Sequence, residues 1–281
     1  MTSGVFRKHA ILAVLCVLVM APAAVSQSFW LDPERGNSLS VEYFRINFVR
    51  RVSFTSTTST FFFTGKLAVS RNTWLVAELP FVHADVELDS YFPFSQPEAE
   101  NAFGNPYFGL RSSLQPECLF IDFGVRIPIA KEHKYLANSY GFESEINRFG
   151  AFLVDYITLK MQLEALTSTD EGPFLRGKLC PMMFVGIQEN SSDEIEFLAN
   201  VGGQFGYRSQ KARIWGGLQG LYALTEESLF SGDRTVAELS VGTDFRFSQL
   251  APGFVLRAPI TTKYQDRITL IYGVNLSWHF N

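Results

Sequence analysis

The stretch RITLIYGVNLSWHF, from Arg267 to Phe280, decides the fold. Ile268, Leu270, Tyr272, Val274, Leu276, Trp278 and Phe280 take every second position, with Thr269, Gly273, Asn275, Ser277 and His279 between them and Ile271 as the apolar exception. A period of two means a strand with one apolar and one polar face, because successive side chains leave a strand on opposite sides. Tyr272, Trp278 and Phe280 lie on the apolar side, as they do where a strand meets lipid and its rings settle at the membrane interface. The stretch predicts the closing strand of an outer-membrane β-barrel, the end that the barrel-assembly machinery would receive.

The other end supplies an address. Arg7 and Lys8 make a basic start, Ile11 to Met20 an apolar run, and Ala24-Val25-Ser26 small residues at a cleavage site. This pattern predicts a secretory signal peptide over residues 1–26, then a periplasmic N-terminal segment at 27–37 and a barrel over 38–281. The apolar run is short for a transmembrane anchor, and Leu15 before Cys16 argues against a lipoprotein site. No later stretch is long and apolar enough for a membrane-spanning helix. Yet the chain is 47% hydrophobic and 15% aromatic, with 27 Phe. A lipid-facing surface explains that load; a soluble β-sandwich is the alternative way to absorb it. The leader holds two of the 24 Lys and Arg and none of the 28 Asp and Glu, so the mature chain has 22 basic against 28 acidic residues, a net −6. That balance argues against a nucleic-acid partner, which wants a basic face. Cys118 and Cys180 fall in predicted strands and read as buried or lumenal thiols, their pairing left open.

Alternation recurs along the chain. Phe61, Phe63, Leu67 and Val69 share one face between Thr60 and Ser70, and Arg71-Asn72 turns into Trp74 to His83, with Leu75, Ala77, Leu79 and Phe81 outward. Pro106 to Leu114 and Cys118 to Pro128 follow, joined by Gln115-Pro116-Glu117. Tyr156 to Leu166 is the clearest internal strand: Ile157, Leu159, Met161, Leu163 and Ala165 alternate with Thr158, Lys160, Gln162 and Glu164. Further strands are predicted at Phe174 to Gly186, Ile195 to Arg208, Ala212 to Leu224, Thr235 to Phe247 and Gly253 to Thr262. With an opening strand at Ser38 to Arg50 the count is about twelve, even as bacterial barrels require. In that opening strand the apolar phase moves from Leu39, Val41 and Tyr43 to Phe44, Ile46 and Phe48, which predicts a bulge near Tyr43 to Arg45. Short turns at Arg71-Asn72, Pro116-Glu117, Thr167 to Gly172, Ser209 to Lys211 and Ser248 to Pro252 alternate with longer connections. The longer ones are Ser53 to Ser59, Ala84 to Asn105, Ile129 to Asp155, Ile187 to Glu194, Glu226 to Arg234 and Lys263 to Asp266. Short periplasmic turns and long outer loops are the barrel pattern. Within the third outer loop Ile146, Phe149, Phe152 and Leu153 recur at helical spacing and predict a short amphipathic helix; the rival, a strand from Glu145 to Val154, would leave an odd count.

Three short motifs resemble the meta-pathway of phenol degradation family, outer-membrane barrels often labelled transporters. Leu79-Pro80-Phe81 is similar to that family's Leu-Pro strand, Phe103-Gly104-Asn105-Pro106 to its Gly-Asp-Pro turn with Asn105 for Asp, and Arg126-Ile127-Pro128 to its second Leu-Pro strand with Ile129-Ala130 for Thr-Gly. The resemblance runs over nearly the whole mature chain and implies an outer-membrane barrel passing small molecules, aromatic ones among them.

A charge on the lipid face costs about 2–4 kcal/mol at mid-bilayer for Lys or Arg, so the alternating charges must point inward. The lumen-lining candidates are Lys66, Glu78, Arg111, Asp122 and Arg126, then Lys160, Glu164, Arg176, Lys178 and Glu196, then Arg213, Glu238, Asp244, Arg246 and Arg257. These either pair with one another across the interior or form a constriction that selects solutes, with a cationic excess favouring anions. Phe62, Trp74, Tyr107, Phe120, Phe174 and Trp215 share the inward phase, as packing or as an apolar track. The loop Ala84 to Asn105, with Asp85, Glu87, Asp89, Glu98 and Glu100, reads as a solvated acidic connection. The mature chain has His83, His133 and His279, and no Ser accompanies His83 two residues away on its strand. No hydrolase motif, metal cluster, phosphate loop or cofactor signature is present, so no cofactor and no enzyme is expected. The reading is porin-like passive transport of small solutes in a Gram-negative outer membrane. Its alternatives are a closed structural or surface-interaction barrel and, as a minor one, a lipid-modifying enzyme.

Overall fold

The computed structural model describes residues 36–49, 54–88, 98–115, 118–167, 171–187, 195–225 and 234–280. The expected signal peptide, residues 27–35, residues 89–97 of the acidic loop including Asp89, and the Pro116-Glu117 turn lie outside the described residues. Thirteen strands run in chain order: β1 (Asn37–Phe48), β2 (Phe54–Ser70), β3 (Thr73–Leu88), β4 (Glu98–Phe103), β5 (Tyr107–Gln115), β6 (Leu119–Arg126), β7 (Tyr156–Leu166), β8 (Gly172–Gly186), β9 (Ile195–Arg208), β10 (Ala212–Ala223), β11 (Thr235–Phe245), β12 (Leu250–Pro259) and β13 (Ile268–Phe280). All pairings are antiparallel, and β1 joins β13 from Asn37–Phe280 upward, which closes the sheet on itself. β4 and β5 both lie against β3, Phe81 opposite Phe103 and Glu78 opposite Tyr107. Between those pairs Gly104-Asn105-Pro106 faces Leu79-Pro80, one residue more than its partner, so β4 and β5 are one strand interrupted by a bulge. The result is a twelve-stranded barrel with that extra, split strand. Short turns gather at the end that holds Asn37 and Phe280, and long connections at the other.

The wall separates two chemistries. Leu67, Leu75, Phe108, Leu163, Leu218, Val241, Val274 and their outward neighbours are exposed, while the alternate residues of the same strands are buried. Ring contacts mark both rims of this apolar band. Tyr43, Phe61, Phe81 and Phe103 touch in sequence at the outer rim, with centroids 5.1, 6.2 and 5.3 Å apart. Trp278–Phe280 and Phe245–Phe247 stand at the other.

Several expectations need correction. β2 starts at Phe54 and β3 continues to Leu88, so the expected loop at Ser53 to Ser59 and the start of the one at Ala84 are strand. These ends carry Ser, Thr and charge on both faces, and an apolar alternation test is blind there. The opening strand keeps unbroken register through Tyr43–Arg45; the shift falls at Asn47/Phe48, opposite Leu270 and Ile268. Phe44 and Ile46 instead point inward, as do Ile268 and Ile271, because the outer half of the lumen has an apolar filling to meet. Residues 145–154 form no strand, and the α-helix of that connection, α1 (Tyr135–Ser144), precedes the segment expected to be helical. Ile146–Ala151 instead makes two tight 3-10 turns broken at Arg148 (φ −114°, ψ 30°).

Outward Leu276 stands on β13 between Trp278 of one aromatic rim and Val274, the register partner of Tyr43 of the other. Leu276→Arg should cost about 2–4 kcal/mol, whereas Thr269→Arg beyond the outer rim should cost less than about 1 kcal/mol. Denaturant unfolding of the barrel reconstituted in lipid vesicles measures both.

Candidate functional site

The inner surface is polar by the alternation, and in this barrel it is not left to water. The connection from β6 to β7, residues 127–155, turns into the lumen and meets the wall on nearly every side. Its anchor is the bulge between β4 and β5. The extra residue, Asn105, is fully buried and saturated: its Oδ1 accepts from the backbone N–H of Ile129 (2.8 Å) and Ala130 (2.9 Å), and its Nδ2 donates to Gly150 O (3.1 Å) and Leu153 O (2.6 Å). Its own N–H donates to Ala151 O at 2.6 Å. Gly104 must lack a side chain, since a Cβ there would run into Ala151 O and the Phe152 ring. The three motifs quoted above converge here: Gly104 N donates to Pro80 O (3.0 Å), Ile127 N to Pro106 O (3.0 Å), and Arg126 Nη1 to Asn105 O (2.9 Å).

Deeper in, Arg148 leaves helical geometry to reach two wall carboxylates, Glu42 of β1 and Glu78 of β3, the latter at 2.7 Å. Arg126 holds the other oxygen of Glu78 at 2.5 Å. The Arg148 guanidinium also lies 4.0 Å from the Phe62 ring. Across the lumen Arg257 bridges Glu145 of the connection (3.4 Å) and Glu238 of β11 (3.0 Å) and donates to Ser144 O. Asn147 donates to Gln219 of β10 (2.5 Å) and accepts from Lys178 of β8. Burial pushes the Glu145 carboxyl up, but Arg257, Arg148 and the hydrogen bonds from Asn147 outweigh it and leave it below its usual value. Around this polar centre Phe149, Phe152 and Ile146 pack with Phe44, Phe62 and Phe184 of the wall.

Below the inserted segment, toward the short-turn end, charges pair directly between strands. Glu164 takes Arg111 and Arg176, each at 3.0 Å, Asp122 takes Gln162 at 3.2 Å, and Asp244 takes Arg213 at 2.5 Å. Aromatic faces back these cations: Phe120 lies 4.3 Å from Arg111, Trp74 5.7 Å from Lys66, and Phe174 5.8 Å from Arg208. A void bordered by Glu42, Phe44, Trp215 and Asp244 measures about 10 Å³, room for about one water.

Of the fifteen lumen candidates, thirteen are buried, and Glu196 and Arg246 are half-buried near opposite rims. The inward aromatics Phe62, Trp74, Tyr107, Phe120, Phe174 and Trp215 are buried too. Cys118 and Cys180 are free thiols, only the second fully buried. Sequence reasoning missed Glu42, Asn105, Glu143, Glu145, Asn147, Arg148 and Arg208. Glu42 was within reach, since it lies between outward Val41 and Tyr43; Arg148 sits in a connection with no strand phase to read. Among the described residues no group of three or more His, Cys, Asp or Glu is placed to hold a metal ion.

No protein-family model matches the chain, and no curated protein does so. Solved structures do. An outer-membrane channel from Pseudomonas putida F1 superposes with a TM-score of 0.59 at 10% identity, covering 91% of this chain and 100% of that one. The β domain of the Bordetella autotransporter BrkA gives 0.53 at 11% identity (88% and 100%), and LpxR from Salmonella typhimurium 0.53 at 10% (86% and 100%). At these identities the likeness is one of fold: the chain has the architecture of outer-membrane β-barrels.

Two outcomes follow. Asn105→Ala strands the N–H groups of Ile129 and Ala130 and should weaken docking of the segment by about 2–5 kcal/mol, read as faster hydrogen exchange and proteolysis at residues 132–151 with the wall intact. At the outer mouth, burial raises the Glu143 carboxyl to about 7 against the pull of Arg267, which lies 2.5 Å away. A carboxyl raised on docking binds its proton more tightly docked than free. Docking is therefore strongest below the ordinary carboxylate value of 4.5 and weakens as pH climbs to about 7. Exchange of the segment should quicken over that window, and Glu143→Gln should flatten the profile.

Proposed function

We propose that this barrel admits small solutes through the outer membrane, with the inward-turned 127–155 connection as its gate. The observation that carries the reading is the way the lumen is filled. The wall closes through its own strand pairing, and the filling is a single connection tied to it by hydrogen bonds and ion pairs around Asn105 and Arg148. Such a segment can move as a unit without breaking a strand ladder. With it withdrawn, nine buried wall cations face six buried wall carboxylates among the described residues, so the passage favours anions. The rings of Trp74, Phe120 and Phe174 beside those cations suit flat, carboxylated solutes. The resemblance of the motifs that meet at Asn105 to those of the phenol-degradation family supports the same solute class. The Pseudomonas channel of like fold supports passage in general.

A second reading has its own observation: the connection occupies the lumen and is tied to the wall at Asn105 and Arg148, and the void bordered by Glu42 and Asp244 measures about 10 Å³. In that reading the barrel is closed and acts through its outer loops. Liposome swelling separates the two. A gated channel should swell slowly with benzoate-sized anions as the native protein, and Asn105→Ala should raise the rate roughly tenfold or more, about 1.4 kcal/mol per decade of opening. Equal, background swelling for native, Asn105→Ala and a folded barrel with residues 132–151 replaced by a short Gly-Ser linker would instead establish the closed barrel.

A further inference from the structure

The outside of the wall carries an arrangement that neither the lumen nor lipid contact requires. One register step outward from the ring row Phe61–Phe81–Phe103, three polar side chains stand abreast on neighbouring strands: Ser59 opposite His83, and His83 opposite Asn101. Residues facing each other on antiparallel strands have Cβ atoms about 4.5–5.5 Å apart. His83 Nδ1 lies 2.9 Å from Asn101 Oδ1, a contact that suits the tautomer with its hydrogen on Nδ1 and its lone pair on Nε2. Ser59 stands opposite His83 on the strand away from Asn101, and its Oγ lies 3.4 Å from the phenol oxygen of Tyr43 on β1, so the hydroxyl turns from Tyr43 to the imidazole when it reacts. Ser59 and His83 are half-buried and Asn101 exposed, open to whatever lies against the barrel. The row sits at the outer aromatic girdle, and rings of that kind mark the depth of lipid head groups. At that depth the head groups of a lipid leaflet meet its acyl chains.

We propose that Ser59, His83 and Asn101 form an outward-facing nucleophilic triad that hydrolyses acyl esters of outer-leaflet lipids. Ser59 Oγ attacks the ester carbonyl carbon and passes its proton to His83 Nε2, while Asn101 holds the ring and its tautomer. Tyr43 donates its phenolic hydrogen to the oxyanion. The carbon–oxygen bond to the alcohol breaks, and the departing alkoxide takes the proton from His83. Water, deprotonated by the same Nε2, then attacks the acyl-Ser59 carbonyl, releasing the fatty acid and restoring the hydroxyl. The site lies outside the wall and does not depend on passage through the lumen. Reading along one strand misses it, because the Ser stands opposite its His on the neighbouring strand.

The test uses the full-length mature barrel in phospholipid–detergent micelles, with heat-dependent gel migration as the check that each variant is folded. A fluorophosphonate probe should label Ser59 by peptide mapping, with no labelling in Ser59→Ala and a loss of about a hundredfold or more in His83→Ala. Asn101→Ala should retain labelling but slow it about tenfold or more. Fatty-acid release is followed separately from phosphatidylethanolamine and from lipopolysaccharide, and the arm that yields product names the ester. Folded native barrel that neither takes the probe nor releases fatty acid from either lipid overturns the proposal, as does release that survives Ser59→Ala.

Discussion

A twelve-stranded barrel with charged inner faces must satisfy those faces somehow, and here the means is one side chain's complete hydrogen bonding. Asn105 exists as an inward residue because the strand opposite β3 carries one residue too many, and the bulge turns its amide into the lumen. Four of its contacts are to the backbone of the connection, at both its entry and its exit. Fixing the two ends brings Arg148 against the wall, where it neutralises Glu42 of β1 and Glu78 of β3 across the Phe62 ring of β2 between them. A buried charge without a partner costs several kcal/mol, and breaking such a pair by removing one member typically costs about 3–5 kcal/mol. The wall's charges and the filling therefore specify each other.

Much of this architecture could be read in the chain. The strand Tyr156–Leu166 was bounded correctly to the residue, as was Ile195–Arg208, because a lipid face on one side and a charged face on the other make period two unmistakable. The alternation of short and long connections fixed which end holds the termini. Legibility failed where the two faces stop differing. At Phe44 and Ile46 both sides of the strand are apolar, one toward lipid and the other toward the inserted segment, so an inward residue looked like a slipped phase. At Thr55 to Ser59 both sides are polar, and strand looked like loop.

The candidate site was half legible for a related reason. Charges on strands announce themselves by phase, and that named Arg111, Glu164, Arg257 and Glu238 individually. Their pairing across strands depends on register and shear, which a single sequence does not display. The inserted segment has no phase at all: Gly150 and Asn147 interrupt any helical spacing, and Arg148 reaches its carboxylates only by departing from it. The same limit hides the outer row of Ser59, His83 and Asn101, whose members are 24 and 18 positions apart in the chain and side by side on the sheet.

The meeting of β1 with β13 has one more consequence. That seam runs beside Glu42 and Ile46, both turned toward the filled interior. The hydrogen bonds of the Asn105 amide stay within the stretch from β3 to β7, whereas Glu42 of β1 and Arg257 of β12 reach the inserted segment from either side of the seam. One continuous part of the chain is the hinge, and its two far ends meet to make the latch.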